Sequence, residues 1–159
     1  MSPAAERAGR RRVLLWLLFC ILGAPLAISF FRVQAICVGD PGLLLRVSPG
    51  DLFTLRYTHS MYGVEVEEKF RVGSGVFTLY HVNSSPAALE YFGTEHPESG
   101  NTSRSLNGFS IPAASVGNHR LLLKGRDLEL RPLARQRDSI PVRLVTLNPF
   151  KYLLHPFWR

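Results

Sequence analysis

Nineteen consecutive residues, Val13 to Phe31, carry no charge and follow directly on Arg10-Arg11-Arg12. As a helix rising about 1.5 Å per residue, such a run covers roughly 28 Å, close to a hydrocarbon core of about 30 Å. Inside that core the backbone can satisfy its polar groups only internally, so the run is expected to be a transmembrane helix, with a local kink at Pro25. Arg7, Arg10, Arg11 and Arg12 precede it and only Arg32 follows closely. The positive-inside bias therefore leaves residues 1–12 as a basic cytoplasmic leader and sends everything after the span across the plasma membrane. The expected topology is a single-pass protein with the lipid bilayer as its first partner. A cleaved signal peptide is the competing reading, with Val33-Gln34-Ala35 as the cleavage site, but the run exceeds the usual 7–15 apolar residues. Both readings place the remainder outside the cytoplasm.

That location governs how charge and cysteine are interpreted. The formal net charge is +7; the leader holds four arginines against one glutamate, and the remainder fifteen basic groups against eleven acidic ones. The remainder's cations are scattered, without the stripe that a phosphate backbone requires, so no nucleic-acid partner is expected. Cys20 lies within the span and Cys37 beyond it, about 25 Å apart along a helix, too far for a disulfide. No nucleophile elbow, Walker loop, dinucleotide fingerprint or paired-cysteine metal motif occurs, so the chain is expected to be no enzyme and to use no cofactor.

The exported part is read as an 11-residue linker, 32–42, a β-domain over 43–147 and an aromatic, basic tail over 148–159. Leu43 to Val47 is a first strand and Ser48-Pro49-Gly50-Asp51 a turn. Leu52 to His59 alternates, with Phe53, Leu55, Tyr57 and His59 on one face. Tyr62-Gly63 reverses the chain into Val64 to Val72, where Val64, Val66, Glu68, Phe70 and Val72 share a face. Gly73-Ser74-Gly75 leads to Val76–Val82. Ser85-Pro86 starts a short helix that Gly93 stops. Thr94 to Asn107 is read as a polar loop and Phe109 to Ile111 as a short strand. Arg120–Lys124 and Asp127–Leu130 form a hairpin around Gly125-Arg126. Ile140 to Leu147 is the last strand, with Pro141 at an edge or a start. About seven short strands with one short helix give the expected fold: all-β, a small antiparallel β-sandwich or partly open barrel behind one N-terminal transmembrane helix. The tail mixes aromatic residues with Lys151, His155 and Arg159, which suits either a membrane interface or a fold-back over a sheet edge.

Two polar residues stand on otherwise apolar faces, His59 and Glu68. A two-residue turn at Tyr62-Gly63 would set His59 opposite Val66 and Tyr57 opposite Glu68. Tyr57, His59 and Glu68 then cluster, because a carboxylate in such a place needs a partner. The cluster is either a polar network that holds the hairpin's register or a module that binds a small ligand or a metal. His59 and Ser60 point to opposite faces unless the strand ends between them, which argues against a base–nucleophile pair.

The block Phe53 to Ser60, followed by Val66, Glu68 and Phe70, resembles a bacterial domain family of unknown function. The block Val116 to Leu121, continuing through Gly125-Arg126-Asp127-Leu128, is similar to that family's later half, so the likeness spans roughly Pro49 to Leu133. Members of the family are often encoded beside TAXI-class TRAP transporters. The resemblance implies an accessory role in solute uptake, with the transporter permease or its solute receptor as partner. Its motif positions are Tyr57, His59, Ser60, Glu68, Asn118, His119 and Arg120, the candidates for a shared ligand- or partner-binding site. The chain departs from the family at Glu65, where many members have proline, and over Ser84 to Phe92, where many are glycine-rich.

Overall fold

The computed structural model describes Trp16, Gly23 and residues 31–40, 42–91, 93, 101–135 and 138–155. Among them no helix is long and apolar enough to cross a membrane. The leader and the predicted span Val13–Phe31 lie outside the described residues, apart from Trp16, Gly23 and Phe31.

Among the described residues, ten strands form two antiparallel sheets. The first sheet is ordered β2 (Gly42–Val47), β1 (Val33–Gly39), β10 (Ser139–Leu147) and β7 (Gly108–Pro112). The second is ordered β6 (Asn101–Leu106), β5 (Phe77–Asn83), β4 (Val64–Val72), β3 (Leu52–His59), β8 (Arg120–Leu123) and β9 (Arg126–Glu129). The inner faces meet in one core that joins Ile36, Val38, Leu45, Ile140 and Val142 to Phe53, Leu55, Phe70, Phe77 and Leu121. Phe53 lies at its centre, stacked on Phe70 with ring centroids 4.7 Å apart and edge-on to Phe77 at 5.1 Å. Such contacts add to the area that the rings bury.

The alternation over β3 and β4 is realised as expected. Phe53, Leu55, Phe70 and Val72 are buried, while on the outer face Arg56 meets both Glu67 and Glu65. Four expectations are corrected. The linker 32–42 is largely strand β1, an interior strand paired with both β2 and β10; Ala35, Ile36, Cys37 and Val38 are buried on both of its faces, so no alternation marks it. Within the expected loop 94–107, Asn101–Leu106 is the edge strand β6, paired with β5. Its polar composition suits an edge that must not recruit another chain. The β8–β9 turn is Lys124-Gly125, not Gly125-Arg126, since Leu123 pairs with Arg126. Both turn residues have positive φ, 50° and 75°, the conformation of the tight hairpin whose twist matches its strands. Finally, the chain leaves β3 by a four-residue turn, 60–63, with the Gly63 amide donating to the His59 carbonyl at 2.8 Å.

Pro141 sits near the start of β10, where β7 is its neighbour and β1 no longer pairs. The missing N–H is therefore accommodated where β10 has a neighbour on one side only. Helix α1 (Pro86–Tyr91) is capped by Ser85, whose hydroxyl accepts from the Ala88 amide at 3.4 Å. It buries Leu89 against Val66 and Val82. A 3₁₀ turn (Ala113–Ser115) follows β7 and a short helix, α2 (Arg131–Ala134), precedes β10.

The tail folds back, but over a sheet face and not over an edge. Asn148 caps helix α3 (Pro149–Leu153), accepting from the amides of Phe150 and Lys151. The helix drives Tyr152 into a cluster with Ala35, Cys37 and Leu44 on the outer side of the first sheet. Cys37 is thereby buried. Residues 156–159 lie outside the described residues.

Candidate functional site

The two sheets part at one end of the sandwich and leave a cleft of about 920 Å³. One wall is the end of β3 with Glu68 of β4. The other is β7, the 3₁₀ turn and the segment 116–119 leading into β8. Six of the seven candidates line it: Tyr57, His59, Ser60, Glu68, Asn118 and His119. Arg120 does not. Its neighbour His119 is turned inward, so Arg120 opens β8 facing the other way, where it is exposed and paired with Asp127 at 2.8 Å.

The four-residue turn slides the hairpin by two positions from the expected register. His59 stands opposite Val64, Tyr57 opposite Val66, and Leu55 opposite Glu68. A slip of two keeps every side chain on its face, so the expected association survives on the diagonal. The Tyr57 hydroxyl donates to Glu68 Oε1 at 2.8 Å. Burial pushes the Glu68 carboxyl up from its ordinary value, against the opposing hydrogen bond from Tyr57 and the field of Arg104. Burial and the neighbouring carboxylate push the Tyr57 phenol up as well, so it remains a donor.

His119 completes the group from the other side. Its ring lies flat on Tyr57, with centroids 4.6 Å apart and planes 2° from parallel. It is the buried polar residue of the described core, at 7% exposure. Its Nδ1 is buried without a hydrogen-bond partner, and burial lowers its pKa. At neutral pH the wall of the cleft is thus a neutral imidazole, a neutral phenol and a carboxyl held part-way out of water. Asn118 has a different role: its Oδ1 accepts from the Thr58 amide at 2.9 Å and its Nδ2 donates to the Thr58 hydroxyl at 2.6 Å. It latches the end of β3 to the segment entering β8.

At the mouth, His59 sits 5.3 Å from Tyr62 and 5.5 Å from Tyr91, ring centre to ring centre. Strand β3 ends at His59, so the exception left open in the sequence applies, and His59 and Ser60 both line the cleft. Arg131 also lines it. The sequence reasoning missed Arg131, whose only signal is a cation directly after the buried Leu130. Among the described residues, no group of three or more His, Cys, Asp or Glu side chains could hold a metal ion, so the metal form of the binding reading has no ligand set here.

The two buried titratable groups bend the stability curve in opposite senses. A histidine whose pKa falls on folding costs stability as pH drops below about 6.5, because the unfolded chain takes up the proton first. A carboxyl whose pKa rises on folding contributes stability that is present at acid pH and is lost as pH climbs through its folded value. We expect His119→Phe, which keeps the stack on Tyr57, to gain about 1 kcal/mol at pH 8 by removing an unpaired nitrogen. The gain should grow below pH 6.5. Glu68→Gln should gain on the alkaline side only. Urea unfolding from pH 4.5 to pH 8.5 measures both, and parallel curves for wild type and variants would refute the assignment.

No family model, curated protein or solved structure matches this chain.

Proposed function

We propose that this chain is a membrane-anchored, extracytoplasmic binding module whose cleft takes a small polar solute, working as an accessory to a TAXI-class TRAP transporter. The observation that supports solute binding is the convergence of Tyr57, Glu68 and His119 from both walls of the 920 Å³ cleft. Tyr57 and Glu68 continue the rows that farther along are Phe53, Leu55 and Phe70, and His119 continues the row of Leu121 and Leu123. Polar groups on core rows cost stability unless they are satisfied, and a sandwich needing only a core would continue the apolar series. Acceptors beside the apolar Leu55, Phe109, Ile111 and Val116, with a stacked ring pair next to them, suit an organic solute bearing hydrogen-bond donors. The transporter association rests on the resemblance of the Phe53–Phe70 and Val116–Leu128 blocks and on the predicted anchor, which would hold the module beside membrane partners at high local concentration.

A thermal-shift screen of the full chain in detergent against amino acids, dicarboxylates and sugars tests solute binding. A ligand present at about 100 times its Kd adds about 2.7 kcal/mol, on the order of 10 °C for a domain this size. Glu68→Gln should abolish that shift. A broad screen that never moves the melting temperature rejects the reading.

A second reading, docking of a partner protein at the cleft mouth, is favoured by one feature. Met61, Tyr62 and Tyr91 are 69%, 39% and 58% exposed around it, the residue types enriched in interface cores. Purification in gentle detergent should then return a permease or a solute receptor with the chain. Recovery of this chain alone would count against both the docking and the transporter association.

A further inference from the structure

A second groove, of about 890 Å³, opens along the β2 edge of the first sheet and reaches the β8–β9 hairpin of the second. Phe31 and Arg32 line it at the point where the chain enters β1, together with Arg46 of β2, Arg126 of β9, and Tyr152 and Leu153 of α3. Arg56, Arg120 and Arg143 each meet a carboxylate. Arg32, Arg46 and Arg126 form no ion pair among the described residues. Lys124, also on the groove, is answered by Asp51 at 2.6 Å. The lips are apolar and open to solvent: Phe31 and Leu153 are each 67% exposed, and Leu154 beside them 82%. A soluble anion calls for the cations but gives the bare leucines and phenylalanine nothing. A bilayer surface offers headgroup charge and acyl-chain boundary together. The predicted span ends at Phe31, so lipid headgroups would lie where this groove opens.

We propose that this groove seats the domain on anionic phospholipid headgroups, with Arg32, Arg46 and Arg126 on the phosphates and Phe31, Leu153 and Leu154 at the acyl boundary. The proposal rests on the anchor reading and is independent of what fills the cleft between the sheets. It fixes the domain with α3 toward the membrane.

Binding of phosphatidylglycerol and of phosphatidylcholine to the full chain in uncharged detergent micelles, read by native mass spectrometry, tests it. Phosphatidylglycerol should bind at least tenfold more tightly. An arginine near an anionic surface contributes about 1 kcal/mol, so Arg46→Gln with Arg126→Gln should cost about thirtyfold and bring the two lipids level. Both residues are exposed, so an unchanged circular-dichroism melt will show that the variant is folded. Equal affinities in wild type would overturn the proposal. So would a preference that survives in the variant, which would place it on the leader arginines, and so would inorganic phosphate competing at the lipid's own concentration. Failure of the anchor is read separately, by labelling Ser74→Cys with an impermeant thiol reagent in intact spheroplasts, over the wild-type background. Ser74 is exposed in the β4–β5 turn, whereas native Cys37 is buried. Labelling before lysis supports the topology; labelling only after lysis removes it and the membrane seat together, whatever the micelles show.

Discussion

Gly42→Ala should cost about 3 kcal/mol or more, at or above the usual upper range for added bulk in a packed site. Gly42 is buried where β2 begins and pairs with Gly39 at the end of β1. A Cβ there would meet the Gly39 carbonyl oxygen, and it would stand 2.5 Å from the carbonyl oxygen of Val38. Both obstacles are backbone, so relief requires moving β1 itself, whose other edge is held by β10. Gly50 supplies the control. Its φ of +92° strains any side chain, but nothing lies within 4 Å of an added Cβ, so Gly50→Ala should cost only about 1–2 kcal/mol. Urea midpoints of the two variants separate a steric block from a conformational preference. If the two losses are equal, the close approach at Gly42 is not what holds the turn.

Phe53→Ala should remove about 3–5 kcal/mol, a loss of transfer energy plus the cavity left behind. Phe53 is 1% exposed and touches one ring face-on and another edge-on, so the hole cannot close by a single rotamer change. A domain of this size holds about 5–15 kcal/mol in all, and the variant is expected at the edge of folding at 37 °C. Phe53→Leu fills most of the space and should cost about 1.5 kcal/mol. Calorimetry gives both values. A Phe53→Ala domain that melts within 2–3 °C of wild type would mean that the two sheets are not joined through this ring.

How far the fold could be read in advance depended on what covers each strand. In β3 and β4 one face is wet, so alternation identified Phe53, Leu55, Phe70 and Val72 as inward-facing. In β1 both faces are dry, because Tyr152 comes from more than a hundred residues away to cover Ala35 and Cys37. The periodic signal vanished there, and the strand passed for a linker. Strand β6 failed in the opposite way: almost nothing covers it. The hairpin register could not be chosen from pattern, since registers two apart bury the same residues. Only the length of the 60–63 turn decides between them.

The candidate site divides along the same line. Tyr57 and Glu68 lie eleven residues apart on adjacent strands, and hairpin geometry alone brought them within reach. The Tyr57–His119 stack spans sixty-two positions and exists because β8 docks beside β3, a matter of topology that no local spacing encodes. Arg120 could have been set aside earlier. Once His119 of an extended segment is inward, the next residue points out.

Strand β1 begins at Val33, two residues past Phe31, and is flanked by partners on both sides. Whatever grips the chain upstream therefore pulls straight on the middle of a sheet, with no slack to take up. Load entering along β1 is shared by two ladders and shears them together, a geometry that yields late compared with peeling an edge strand bond by bond. Were the predicted anchor to hold the chain there, the same stiffness would leave the domain little freedom to swing, and its cleft would keep one height and one bearing.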